Sequence, residues 1–116
     1  MSSIRIYHNP RCSKSRQTLA LLEEQGVTAE IIKYLDTPPS KAELKSVLKA
    51  LGLSARQLMR TKETEYSEQG LSNPELTEEQ LIDAMLATPK LIERPIVTNG
   101  DKAAIGRPPE QVLEII

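Results

Sequence analysis

The period of the apolar positions changes several times along this chain, and each change marks an element. Ile4-Arg5-Ile6-Tyr7 reads as a short strand, and Asn9-Pro10 as a turn after it. Ser13 to Gln25 carries Leu19 and Leu22 on one helical face and stops at Gly26, and Ala29 to Tyr34 is extended again. A crossover containing a helix predicts that these two strands are parallel. Pro38-Pro39 then breaks the chain. Three pairs, Ser40 with Glu43, Ser54 with Gln57 and Thr77 with Gln80, are capping-box patterns, in which two side chains satisfy free N–H groups of the first turn. They open a helix with Leu44, Val47, Leu48 and Leu51 that Gly52 closes, a short helix reaching Arg60, and a helix with Leu81, Ile82, Met85 and Leu86. The polar stretch Thr61 to Asn73 is partly helical at most. Pro95-Ile96-Val97-Thr98 reads as a third strand. Asn99-Gly100 is a hairpin turn into Ala103-Ala104-Ile105, and Pro108-Pro109 starts a last helix, Glu110 to Ile116.

The order is β-α-β, a helical insert, then β-β-α. It predicts an α/β, thioredoxin-like layer: a four-stranded mixed sheet flanked by helices, with the insert between strands two and three. The 116 residues suit one domain, 1–116. With three Tyr and no Phe or Trp, the core must be built from Leu, Ile, Val and Ala. A net charge of −1, with both signs interspersed, implies no general affinity for nucleic acid or for an acidic membrane. No apolar run is long enough to span a bilayer, and the N-terminus lacks the apolar segment of a signal peptide. One Cys excludes an internal disulfide, and one Cys with one His falls short of a metal site. A cytoplasmic protein is the expectation.

The only Cys and the only His lie four residues apart, in His8-Asn9-Pro10-Arg11-Cys12-Ser13-Lys14-Ser15, where a strand passes into a helix. A helix N-terminus presents free N–H groups and partial positive charge, which stabilise a thiolate or a bound anion. Cys12 is therefore the candidate nucleophile. An ordinary thiol titrates near ~8.5, and ionising most of it at pH 7 takes roughly 2.7 kcal/mol of preferential thiolate stabilisation. Free Cys is often a buried structural residue, but Arg11, Ser13, Lys14 and Ser15 around Cys12 fit apolar burial poorly. His8 either supports the thiolate or merely ends a strand. Ser15, one turn on, either donates to the thiolate or is a plain helix-start residue. A phosphatase-type loop needs Arg six positions after the Cys, where this chain has Thr18, and a dithiol pair needs Cys where it has Ser15. An outside thiol must then resolve any Cys12 adduct.

Arg60, Arg94 and Arg107 each stand at an element edge beside a rigid or small residue. If they converge on Cys12 they make a pocket for a tetrahedral oxyanion, because guanidinium is always charged and binds oxyanions bidentately. Taken singly, each reads equally as a solvated surface residue.

Taken together, His8-Asn9-Pro10-Arg11-Cys12-Ser13-Lys14-Ser15, Leu58-Met59-Arg60, Glu93-Arg94-Pro95-Ile96-Val97 and Ile105-Gly106-Arg107-Pro108-Pro109-Glu110 resemble the glutaredoxin-coupled arsenate reductase (ArsC) family, in order and over essentially the full length. The resemblance implies reduction of arsenate to arsenite, with Cys12 as nucleophile, His8 and Ser15 favouring its thiolate, and Arg60, Arg94 and Arg107 holding the oxyanion. Pro95 matches the proline that is cis in thioredoxin-like folds. The implied chemistry runs through a Cys12-arsenate adduct, attack by glutathione as external thiol and regeneration by glutaredoxin, with no bound cofactor. Longer family members carry a C-terminal extension beyond the position of Ile116, so the expectation is a short, arsenate-reductase-like subgroup. Two other uses of the fold stand beside this one. One is a glutathione-dependent thiol reductase with a different natural substrate. The other is a non-catalytic, Spx-like regulator that binds RNA polymerase, a group that often uses Cys-x-x-Cys as a switch, which Ser15 removes here.

Overall fold

In the computed structural model, which describes residues 4–116, strands β1 (Ile4–Tyr7), β2 (Glu30–Ile32), β3 (Ile96–Asn99) and β4 (Lys102–Ile105) form one sheet of order β2-β1-β3-β4. β1 runs parallel to β2 and antiparallel to β3, and β3 is antiparallel to β4, with Tyr7 opposite both Ile32 and Ile96. Helix α1 (Ser13–Glu24) is the crossover between the parallel pair. Ile4, Ile6 and Val97 of the sheet bury themselves with Leu22 of α1 and Val112 of the C-terminal segment. Fully burying each such side chain contributes about 1.5–3 kcal/mol. This is the mixed sheet with helices of a thioredoxin-like fold, and it makes up one of two compact units, formed by the chain up to Thr37 together with Arg94–Ile116.

Three details of this unit differ from the sequence reading. β2 stops at Ile32 because a turn begins at Lys33, whose carbonyl accepts from the N–H of both Asp36 and Thr37 at 2.9 Å. The two-residue hairpin loop is Gly100-Asp101 rather than Asn99-Gly100, since Asn99 pairs with Lys102. Gly100 alone has positive φ there, +63°, as the first centre of a II′ turn requires. The last segment, Pro109–Glu114, is a 3-10 helix with i→i+3 bonds from Gln111 to Pro108 and from Ile115 to Val112. Two successive prolines, Pro108 and Pro109, supply no N–H at its start. Asn99 Nδ2 donates to the Ile115 carbonyl and fastens this end to β3.

The second unit, Pro38–Glu93, is helical. It holds α2 (Lys41–Leu51), α3 (Ala55–Leu58), α4 (Thr64–Glu68), α5 (Glu78–Ala87) and a 3-10 turn at Pro89–Leu91. Ser54 with Gln57 and Thr77 with Gln80 are complete capping boxes, and Ser40 Oγ accepts from Glu43 N. Leu44, Val47 and Leu48 of α2 and Leu81, Ile82 and Met85 of α5 are buried. On the exposed side Lys41 and Lys45 pair with Glu79 and pull its carboxyl down to about 2. In the polar stretch after α3 one side chain joins three residues. The Arg56 guanidinium donates to Tyr66 Oη at 2.8 Å, Leu71 O at 2.7 Å and Asn73 O at 2.9 Å. α3 ends at Leu58, short of Arg60, because Met59 is extended and bridges Ile92, while Arg60 N donates to Leu91 O at 2.7 Å.

Candidate functional site

The segment from β1 into α1 is built around Asn9, a buried residue. Its side-chain Oδ1 accepts from Arg11 N and its carbonyl from Cys12 N, both at 3.0 Å. Arg16 Nη1 reaches back to the Pro10 carbonyl at 2.8 Å. The loop so held makes Cys12 the N-cap of α1, extended at φ −93° and ψ 123°, with a free, partly buried thiol. Burial alone would push this thiol up. The Ser15 N–H of the first turn, the Arg94 guanidinium through a hydrogen bond and its charge, and the Lys14 N–H outweigh it, so the pKa falls below the ordinary thiol value.

His8 and Ser15 are both buried, and they meet each other. Ser15 Oγ lies 2.6 Å from His8 Nδ1 and accepts from Asn9 N at 3.0 Å. Ser15 thus acts on Cys12 through its backbone N–H, while its hydroxyl ties the imidazole to the loop. Burial, followed by the charges of Lys33 and Arg16, lowers the His8 pKa below 6.5, so the ring is neutral at pH 7.

Two of the three arginines flank the sulfur. Arg107 Nη2 stands 3.6 Å from Cys12 Sγ and its Nε donates to the Arg94 carbonyl at 2.7 Å, which ties the two arginines together. Arg94 itself acts on the thiol as described. Arg60 belongs to the helical unit, where its Nε pairs with Glu63 at 3.1 Å and its Nη1 with Glu93 at 2.9 Å. Burial lowers its pKa, but the two carboxylates more than offset this and the balance is upward. Lys90 bridges Glu63 and Glu65. Pro95 is buried and follows a cis bond from Arg94; the bond from Arg107 to Pro108 is cis as well.

The sequence reading passed over Asn9 as a site-shaping residue, along with Glu63, Glu93, Thr18 and Gly106. For Thr18 a signal was present. Ser15, Thr18 and Leu22 fall on one helical stripe, and all three are buried. Glu63 lies three residues after Arg60, a local spacing, whereas Glu93 pairs with Arg60 from 33 positions away and no local pattern announces it.

Among the described residues no cluster of His, Cys, Asp and Glu is arranged to hold a metal ion, and no helix is long and apolar enough to cross a membrane.

Comparison with known proteins places this geometry in context. The model of the ArsC family matches residues 7–115. The uncharacterised protein YfgD of Escherichia coli (strain K12) is 60% identical over 97% of this chain and 96% of its own. An arsenate reductase of Neisseria meningitidis (serogroup A) is 53% identical over the whole of both chains. The solved structure of an arsenate reductase from Vibrio cholerae superimposes with a TM-score of 0.96 at 55% identity, covering 99% of this chain and 98% of that one. With the family model matching residues 7–115 and relatives 53% and 60% identical over nearly the whole of both chains, the chain belongs to the ArsC family.

Proposed function

We propose that this protein is an arsenate reductase that uses Cys12 as nucleophile and draws its electrons from glutathione, with glutaredoxin completing the cycle. The observation that carries the reading is a single thiol of lowered pKa at a helix start, in contact with Arg107 and acted on by Arg94. The Cys12 thiolate attacks arsenic and displaces one oxygen, which leaves as water after protonation. Glutathione attacks the arsenic of the adduct and a second oxygen leaves as water. A second thiol then takes the glutathionyl sulfur, leaving its bonding pair on arsenic, and water cleaves the Cys12–As(III) bond to release arsenite and the free Cys12 thiol. The two electrons that reduce arsenic come from two thiols, which end as one disulfide. The chain has one Cys, so both reducing thiols come from outside. Arg94 and Arg107 meet the charge of the oxyanion, since paired guanidiniums fit a compact tetrahedral anion better than a bulky disulfide. Arg60 is assigned the same role from the family motif. His8 and Ser15 keep the loop in the shape that favours the thiolate, and Pro95 shapes the backbone at Arg94. Relatives of the same length that are named arsenate reductases support the substrate.

The test is a coupled assay: purified protein, arsenate, glutathione and glutaredoxin, with glutathione reductase consuming NADPH. Arsenate-dependent NADPH oxidation that disappears in Cys12→Ser is the expected result. No oxidation above the enzyme-free rate at any arsenate concentration overturns the reading.

A further inference from the structure

Gly106, the first residue after β4, has less room than any other glycine described in the chain. A Cβ placed there overlaps Thr18 Oγ1, lies 2.8 Å from Pro95 Cγ and 3.1 Å from Thr18 Cγ2, whereas the other glycines have no neighbour within 4 Å. Its φ is outside the left-handed range, so the position demands space and not backbone freedom. The Gly106 N–H donates to the Pro95 carbonyl at 2.9 Å, which draws the segment against Pro95. On the other side Thr18 is completely buried, with Oγ1 fixed by a 2.8 Å bond to the Lys14 carbonyl.

Both ends of this contact lead to the sulfur. Thr18 rides on α1, whose N-cap is Cys12. Arg107 follows Gly106 directly, with its own N–H fixed to Ile105 O at 2.9 Å and its Nε to Arg94 O at 2.7 Å. We propose that Gly106 and Thr18 are positioning residues of the anion site: their close approach sets how near the Arg107 guanidinium comes to Cys12. This rests on the reading of Cys12 and Arg107 as nucleophile and oxyanion ligand. A methyl at residue 106 must be relieved by roughly 0.7 Å to reach ordinary contact with Pro95. The neighbouring Arg107 moves with it, from a position where Nη2 is already 3.6 Å from Sγ.

The experiment compares alkylation of Cys12 by iodoacetate, which carries a carboxylate, with alkylation by neutral iodoacetamide, at one pH where the thiolate fraction cancels in the ratio. Wild type favours the anion relative to a small free thiol. Gly106→Ala lowers the iodoacetate-to-iodoacetamide ratio roughly fivefold, the upper end for an exposed ion pair, and Thr18→Ala in the same chain restores most of it. A folded Gly106→Ala protein with the wild-type ratio overturns the proposal, as does a double variant that recovers nothing. If Gly106→Ala does not fold, Thr18→Val presses a methyl on Gly106 from the helix side, and an unchanged ratio there overturns the proposal equally. A purely structural role lowers the melting temperature and leaves the ratio alone. Because the ratio needs no arsenate turnover, an inert protein in the coupled assay with an intact anion preference refutes the arsenate reading, and not this one.

Discussion

Replacing Ser15 with Ala separates two roles that one residue plays at the site. The Ser15 side chain is fully buried, and its oxygen serves two buried groups, His8 Nδ1 at 2.6 Å and Asn9 N–H at 3.0 Å. Whichever ring nitrogen of His8 carries the proton, the hydroxyl can complete the pair, since it both donates and accepts. Alanine leaves both groups without that partner. Each orphaned buried polar group costs about 1–3 kcal/mol, so for the two a loss of about 2–6 kcal/mol is expected. The measurement is urea unfolding, with a lower midpoint and an unchanged slope. The second arm is titration of the Cys12 thiolate by its ultraviolet absorbance. Alanine keeps the backbone N–H through which residue 15 acts on the sulfur, so the thiol pKa stays below its ordinary value. A variant of wild-type stability refutes the account of the hydroxyl. A stable variant whose thiol titrates at the ordinary value shows that the hydroxyl, and not the N–H, holds the thiolate.

Two further outcomes follow from groups beside the site and in the helical unit. His8 has a folded pKa below 6.5, so the unfolded chain takes up a proton near 6.5 that the folded protein refuses. Stability is unaffected above 6.5 and falls as pH drops from there through the folded value, by at most about 1.4 kcal/mol per pH unit. His8→Gln flattens that part of a stability-against-pH curve, and an identical slope in the variant refutes the assignment. Arg56→Ala removes three hydrogen bonds from Tyr66, Leu71 and Asn73. With part of the group exposed, the expected loss is about 2 kcal/mol, together with faster amide exchange over residues 64–73; unchanged exchange there shows that other contacts order the stretch.

What the chain reveals in advance depends on how local each cause is. β1, α1, the capping residues and the β3–β4 hairpin were legible because their signals lie within a few residues: alternation in Ile4-Arg5-Ile6-Tyr7, the Ser54–Gln57 and Thr77–Gln80 boxes, Gly100 in the turn. Cys12 at a helix start was legible for the same reason. The features that were missed have distant partners. Met59 leaves helix geometry to bridge Ile92, which no propensity at Met59 announces. The Ser15 hydroxyl meets His8 because β1 and α1 are folded against each other, while the spacing of Ser15 from Cys12 pointed to the thiol. The glycine of Ile105-Gly106-Arg107 reads as a small residue beside an arginine. That it is small because Thr18, 88 positions earlier in the chain, lies against it is a fact of packing.

The β1–β3 ladder carries a consequence for the order in which activity is acquired. Tyr7 and Ile96 are partners across it, yet roughly ninety residues separate them along the chain. The contacts within β1–α1–β2 and within the β3–β4 hairpin close shorter loops. The ladder closes the long loop, and its entropy cost is met only when the flanking pieces are ready to reward it. Cys12, His8 and Ser15 lie on one side of that closure, Arg94 and Arg107 on the other. A chain that has formed its helix start but not its ladder carries the thiol without either arginine. The anion preference of Cys12 therefore depends on the β1–β3 ladder, and a measurement of that preference during refolding reports when the two halves have joined.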